Sequence, residues 1–374
     1  MPESIVDCVD DLTLVDHHVH GAFGVDGPES RFQNALNEAN SEALHDPATA
    51  YDSQLGFAVR RWCAPLLGLP EHVAPEEYWR RRNELGETEV ARRMLRAAGV
   101  DRWLIDTGFR ADKLLDLGGM ADAAGTAALE VVRLEAEAEG LVGRLDDPAD
   151  YPEAFRAQLT RRTRDAVGTK SVLAYRTGFD IDLSRPSDTD VVAAVQRWMS
   201  DGGGRLSDPL VIAYGIHAAV DIGLPLQLHV GLGDRDLDLR AVNPLHLLDF
   251  LRGHEASGVP IMLLHCYPYE REAGYLAQGF EAVFMDVGLG INFLGARSRS
   301  LVARGLELAP FGKLLYSSDA LGPAELHYLG AALWRRAIGT LFDEWVASGD
   351  WCAADARRVA TMIARDNARR VYRL

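Results

Sequence analysis

Eight short apolar runs, each bounded by glycine, proline or a polar residue, constrain the fold of this chain more than any other feature. They fall at 12–17, 101–106, 130–134, 167–174, 224–229, 260–265, 281–286 and 312–317, with amphipathic stretches between them. Polar residues seldom interrupt these runs. As strands they would be covered on both faces, which is the condition of a parallel sheet.

Two of the intervening units show the grammar best. Ser207-Asp208-Pro209 reads as an N-cap with proline at the first helical position. The helix should run to about Asp221, stop at Gly223, and be followed by Pro225 and a strand. Asn243-Pro244 opens a second such unit, with a helix to about Ala256, then Gly258, Pro260 and another strand. Both strands end in histidine, in "GLPLQLH" and "GVPIMLLH". Eight units of this kind predict an α/β chain folded as a (β/α)8 TIM barrel.

Residues 21–86 do not fit the repeat. They carry helical segments and the aromatics Phe57, Trp62, Tyr78 and Trp79, and are predicted to be a helical insertion over the C-terminal barrel face. The first barrel helix is then expected at about 87–98. Residues 343–374 read as a helical tail packed outside the barrel, and residues 1–374 as one elaborated domain.

Lys and Arg total 39 against 55 Asp and Glu, a net charge of −16. Such a surface repels nucleic acid and anionic membranes. Cys8, Cys63, Cys266 and Cys352 are far apart and form no C-x-x-C pair, which points away from a zinc ribbon or a disulfide framework. No apolar run approaches the length of a membrane span, and the N-terminus has no basic segment leading into an apolar one. A soluble cytoplasmic protein is expected, its oligomeric state left open, a homo-oligomer included.

The first run ends unusually, as "LVDHHVHG". Alternation along a strand would put Asp16, His18 and His20 on one face and His17 and Val19 on the other. Two imidazoles so placed can bind a divalent transition metal, or can be hydrogen-bonded histidines at a strand end. His229 ends the fifth run, His265 the sixth, Asp319 follows the eighth in "KLLYSSDALG", and Lys170 lies within the fourth. In this fold those positions share one barrel end, the end that carries active sites.

The ordered set H-x-H, Lys, His, His, Asp resembles the metal-dependent amidohydrolase superfamily. "TKSVLAYRTGFD", "LQLHVGLGDRDLDLRAVNPLHLLDFL" and "DNARRVYRL" are similar to its amidohydrolase-2 branch, more narrowly to the amidohydrolase-like half of nodulin/glutamine-synthetase-like proteins. The resemblance implies His18, His20, His229 and Asp319 as ligands of Zn²⁺, with Mn²⁺ as the substitute. Zinc held this way lowers the pKa of its water to about 7. Asp319 would accept the proton and pass it to the leaving group. Its alternative is capping a helix at 323–334, a role that Ser317, Ser318 or Gly322 could also take.

In two-metal members a lysine at the position of Lys170 is carbamylated and bridges the ions. The branch favours one metal, with Lys170 an amine and His265 an acid/base or oxyanion donor. With two metals, Lys170 and His265 join the ligands. Tyr175, Arg176 and Arg240 are candidates for substrate contact, the arginines for capture of a carboxylate, although each could pair instead with an acid such as Asp234, Asp236 or Asp238. Glu135 is either a site carboxylate or the start of a solvated helix. The implied activity is hydrolysis of a small molecule's C–N bond, an amide and first of all a γ-glutamyl amide. A metal-dependent decarboxylase or hydratase of a small carboxylic acid, or a non-catalytic regulatory barrel, are the alternatives.

The other histidines carry less. His17 should face away from the site, while His217, His246, His254 and His327 fall in helical stretches. His45 and His72 could reach the site only if the insertion folds over it. "GLGINFLG" is not G-x-G-x-x-G and lies after the seventh run, without the βαβ opening of a dinucleotide site, and no G-x-S-x-G elbow appears. Cys266 adjoins His265, but strand neighbours face opposite ways, which argues against a Cys–His nucleophile.

Overall fold

The computed structural model describes residues 4–39, 46–109 and 113–374. Seven strands, β1 (Leu14–Val19), β2 (Val100–Asp106), β3 (Ala127–Arg133), β4 (Gly168–Ser171), β5 (Leu226–Val230), β6 (Ile261–His265) and β7 (Val283–Met285), form one sheet in sequence order. Every neighbouring pair is parallel.

The run expected as an eighth strand, 312–317, does not form one: Phe311–Lys313 is a single 3-10 turn and Leu314 makes an isolated bridge to Met285. The residues after it still close the ring. Leu315 N–H bonds Met285 O at 3.1 Å, and His17 N–H bonds Tyr316 O at 3.2 Å. Farther along, Asp319 N–H bonds His18 O at 3.1 Å and His20 N–H bonds Ala320 O at 2.9 Å. The sheet is thus curled into a barrel stitched through this segment, with helices around it.

The helix signals act as the sequence implies. Asp208 accepts from the N–H groups of Leu210 and Val211, Pro209 opens the helix Pro209–Ile222, and Gly223 ends it at φ 83°. Such a φ is costly for any residue with a Cβ. Gly258 does the same at φ 66° before β6. The predicted first barrel helix is Glu87–Ala97. Between β1 and it lie the helices Glu29–Asn34, Gln54–Ala58 and Pro75–Leu85.

The tail departs from its prediction. Residues 343–348 continue the long helix Ala324–Ser348, and the last helix, Asn367–Tyr372, enters the barrel instead of lying outside. Ala368, Val371 and Tyr372 pack with Val15, Leu104, Val131, Met262, Leu264, Phe284 and Leu315, the inward-facing strand residues. A ring of strands leaves apolar side chains at its N-terminal end that water would otherwise reach. Each large one so covered contributes about 1.5–3 kcal/mol. Among the described residues no helix is long and apolar enough to cross a membrane.

Candidate metal centre

The strand that carries H-x-H does not keep its alternation. The register of β1 against β2 shifts between Asp16 and Val19. Asp16 consequently leaves the histidines and accepts from Ser318 N–H at 3.1 Å and Ser318 Oγ–H at 2.5 Å. Burial pushes its carboxyl up to about 8. His17, expected to face away, lies in the barrel interior with Nε2 2.9 Å from Asp286 Oδ2.

His18, His20, His265 and Asp319 converge. His18 Nε2 lies 3.0 Å from Asp319 Oδ1, His20 Nε2 3.6 Å from the same oxygen, and His265 Nε2 3.2 Å from Oδ2. Two sets of three bring their donor atoms within 4.8 Å of one another: His18, His265 and Asp319, and His18, His20 and Asp106. His229 belongs to neither set but touches His265, ring centroids 4.7 Å apart. Lys170 Nζ is 3.2 Å from His18 Nε2.

Electrostatics keep the imidazoles neutral. Burial, then the Lys170 ammonium, holds His18 and His229 well below the usual histidine range. Burial and then His229 do the same to His265, and burial brings His20 to about 4. Burial also lowers Lys170 to about 8, against the pull of Asp319 and Asp106. It raises Asp319 to about 6 despite His20 and Lys170 nearby.

This donor set fits a divalent transition metal. His18 Nδ1 sits 2.7 Å from Gln227 Oε1 and must donate to it, which leaves Nε2 an acceptor, with Lys170 Nζ 3.2 Å away. That nitrogen also faces Asp319 Oδ1 at 3.0 Å, and a cation between the two would bind the lone pairs of both. Asp319 Oδ1, His229 Nε2 and both ring nitrogens of His265 have no hydrogen-bond partner although buried. A cation held by His18, His20, His229 and Asp319, or by a set including His265, would satisfy them.

Asp319 is not a helix cap. The helix Ala324–Ser348 has Pro323 at its N-cap and no side-chain cap bond. Asp319 takes a left-handed backbone, φ 47°, as do His265 at 69° and Cys266 at 55°. Strained backbone of this kind persists only where its surroundings enforce it.

Several participants were not foreseen. Asp106 ends β2 and receives three bonds from Arg133, Nη2 to Oδ2 at 2.6 Å and Nε to Oδ2 at 3.0 Å and to Oδ1 at 3.2 Å. Burial would raise its carboxyl, but Arg133 holds it below the usual carboxylate range. Gln227 in β5 and Asp286 after β7 are likewise buried. Their common signal was a polar residue inside or ending an apolar run: "DRWLID", "LPLQLH" and "EAVFMD".

The centre opens into a cavity of about 660 Å³. His20, Lys170, His229 and Asp319 line it, as do Tyr175, Arg176, Arg133 and Arg205. Phe23, Arg31 and Asn34, from the stretch after β1, contribute to the same wall. The fourth run ends as a 3-10 turn at Leu173–Tyr175, which swings Tyr175 to within 4.7 Å of the His229 ring. Arg176 is mostly buried and pairs with Glu139 at 3.0 Å.

Arg240 does not reach the cavity. Its side chain is 92% exposed and held by Asp238, two residues away, at 2.8 Å. Glu135 is no solvated helix start. It is buried, accepting from Ser171 Oγ–H at 2.6 Å and Val172 N–H at 3.0 Å, and so fixes the end of β4. His217 and His254 bond backbone carbonyls of Leu183 and Val259, and His327 that of His20. His72 is exposed, and His45 lies outside the described residues.

Comparison with known proteins follows this geometry. A sequence family described as amidohydrolase matches residues 120–374. Protein fluG of Emericella nidulans is 29% identical over 283 residues, 67% of this chain and 32% of fluG. The chain therefore spans about a third of the length of this curated relative. A Lactobacillus casei structure described as a metal-dependent hydrolase superposes with a TM-score of 0.87 at 27% identity, covering 99% of this chain and 98% of that one. Uronate isomerase from Thermotoga maritima, at TM-score 0.62 and 12% identity over 98% of this chain and 96% of its own, is similar in fold.

Proposed function

This chain belongs to the amidohydrolase family, and from that premise we propose that it hydrolyses an amide-type C–N bond in a small molecule bearing a carboxylate, with γ-glutamyl amides as the first class to try. One observation carries this reading. Buried donors without a hydrogen-bond partner on His229, His265 and Asp319 meet beside His18, where a cavity opens whose wall presents Arg176. His18, His20, His229 and Asp319 would hold one Zn²⁺, or Mn²⁺ in its place. When bound, such an ion polarises a carbonyl and brings the pKa of water to about 7.

The chain's own groups do the rest. Asp319, at about 6, is matched to taking a proton from the attacking water at neutral pH and returning it to the departing nitrogen. His265, buried between His18 and His229, is placed to steady the oxygen that gains charge. Arg176 captures the substrate carboxylate through its planar fork, with Tyr175 beside it. Lys170 stays an amine in this one-metal reading.

The test combines metal content with turnover. Purified protein should hold about one Zn²⁺ or Mn²⁺ per chain and release amine from γ-glutamyl amides or N-acyl amino acids. His229→Ala should lose metal and turnover together while its circular dichroism is unchanged. A folded protein that takes up neither metal on reconstitution overturns the reading. Release of CO₂ from an unsaturated carboxylic acid, with no amide cleaved, would replace hydrolysis by decarboxylation.

A further inference from the structure

One layer nearer the N-terminal end of the barrel than the bare donors lies a second buried polar group, made by His17, Gln227, Asp286 and Tyr372. Gln227 is two residues before His229 on β5 and therefore on the same face, one step deeper. Tyr372 arrives from the C-terminal helix. No role assigned above uses its hydroxyl.

The hydrogen bonds of this layer allow one direction of donation. Gln227 Nε2 is 2.7 Å from the His17 carbonyl oxygen, which can only accept, so the amide nitrogen must face it. Gln227 Oε1 is then the atom 2.7 Å from His18 Nδ1, and His18 must carry its proton there. The second hydrogen on Gln227 Nε2 goes to Tyr372 Oη at 2.8 Å. Tyr372, accepting that bond, donates to His17 Nδ1 at 3.1 Å. His17 is left with its proton on Nε2, given to Asp286 Oδ2 at 2.9 Å.

The anchor at the far end is firm. Asp286 Oδ1 accepts from His265 N–H at 2.9 Å, Gly288 N–H at 2.7 Å and Ser317 Oγ–H at 2.8 Å. A carboxylate so placed has no proton to donate, and the order of donors cannot reverse. All five side chains, His18 included, are shut away from water.

We infer that Gln227, its amide oriented by the His17 carbonyl and joined by the Tyr372 hydroxyl, is a positioning residue: it holds His18 in the Nδ1–H tautomer, with Nε2 left as an acceptor beside Lys170 and Asp319. The consequence for metal binding rests on the proposed reading of His18 as a ligand. The tautomer does not. Partners one shell out from a ligand typically alter metal affinity by about 10- to 100-fold, and Gln227 is such a partner.

The experiment uses this chain and two variants. In metal-free protein labelled with ¹⁵N-histidine, two-bond ¹H–¹⁵N correlation reads the tautomer of His18. Wild type should show Nδ1–H alone, and Gln227→Ala a mixture of both forms. Zn²⁺ affinity, by chelator competition, should fall by about 10-fold or more in Gln227→Ala. Val371→Ala, which thins the apolar plug beneath this layer without touching its hydrogen bonds, should lower Tm and leave tautomer and affinity as in wild type. Wild-type tautomer and affinity in Gln227→Ala would overturn the inference, as would an equal loss of affinity in Val371→Ala. If wild type itself binds no Zn²⁺, the metal reading fails, and the tautomer in Gln227→Ala still decides the part played by Gln227.

Discussion

Arg82 offers the sharpest test of how the segment after β1 is held over the cavity. Its guanidinium spans two carboxylates: Nε to Glu325 Oε1 at 2.7 Å, and Nη2 to Glu87 Oε1 at 2.6 Å, with Nη1 to Glu87 Oε2 at 3.1 Å. It also lies 4.6 Å over the ring of Phe32, and Glu87 in turn holds Arg31, which lines the cavity. The three charged side chains are 4%, 2% and 0% exposed. Arg82→Met keeps much of the volume and removes the charge, stranding Glu87 with Arg31 and Glu325 with the Tyr78 hydroxyl. Removing one partner of a buried ion pair costs about 3–5 kcal/mol. With an unfolding entropy of roughly 2.1 cal/mol/K per residue over 374 residues, Tm should fall by about 4–6 °C. Glu87 is already raised by burial, and without Arg82 it rises further. A group whose folded pKa is raised binds more protons folded than unfolded, so falling pH favours the folded variant. Urea denaturation at pH 7 and pH 5 should therefore show the deficit shrinking as pH falls, by about 1–2 kcal/mol. A loss below about 1 kcal/mol at pH 7, or one that does not change with pH, would refute the argument.

Three further outcomes follow from the geometry. Metal affinity should be nearly flat above pH 6 and drop about tenfold per unit below it, because Asp319 at about 6 must lose its proton while His18, His229 and His265 are already neutral. A slope of two or more protons, measured by chelator competition across pH 5–8, would mean that another ligand titrates as well. Arg176→Ala should lower kcat/KM for a carboxylate substrate about 10- to 100-fold, mainly through KM, as loss of a charged hydrogen bond does. Arg240→Ala, on the surface with Asp238, should stay within about twofold of wild type.

The architecture was legible because barrel grammar is local. Proline after a cap at Asp208 and glycine at 223 specify where a helix starts and stops whatever surrounds it. Long-range closure is not local. Nothing near Tyr372 says that its ring fills the bottom of a barrel, since the residues it packs among come from β1, β2, β3, β6 and β7. The insertion was recognisable by its failure to repeat. Its wall residues Phe23, Arg31 and Asn34 carry no pattern that marks them for the cavity. Arg240 misled for the opposite reason: it stands in a segment close to β5 in sequence, yet an acid two residues away satisfies it on the surface.

The failures at the centre share one cause, that strand periodicity stops where the chemistry begins. Alternation assigned Asp16 to the face of His18, but the register shift in β1 sends it to Ser318 and turns His17 inward. Alternation also separated Cys266 from His265, and there too it does not hold. Both residues are left-handed, so they do not alternate, and Cys266 Sγ is buried against Leu263 O, with burial pushing its thiol up. Asp319 is left-handed too. Each such residue costs on the order of 1–3 kcal/mol, and local propensity argues against all three. Their persistence at one buried spot makes sense only if the fold over-determines them: Asp286 fixes the His265 backbone, and the His18 carbonyl fixes that of Asp319. The residues that converge were visible by type and order, whereas the backbone that aims them is imposed from across the barrel.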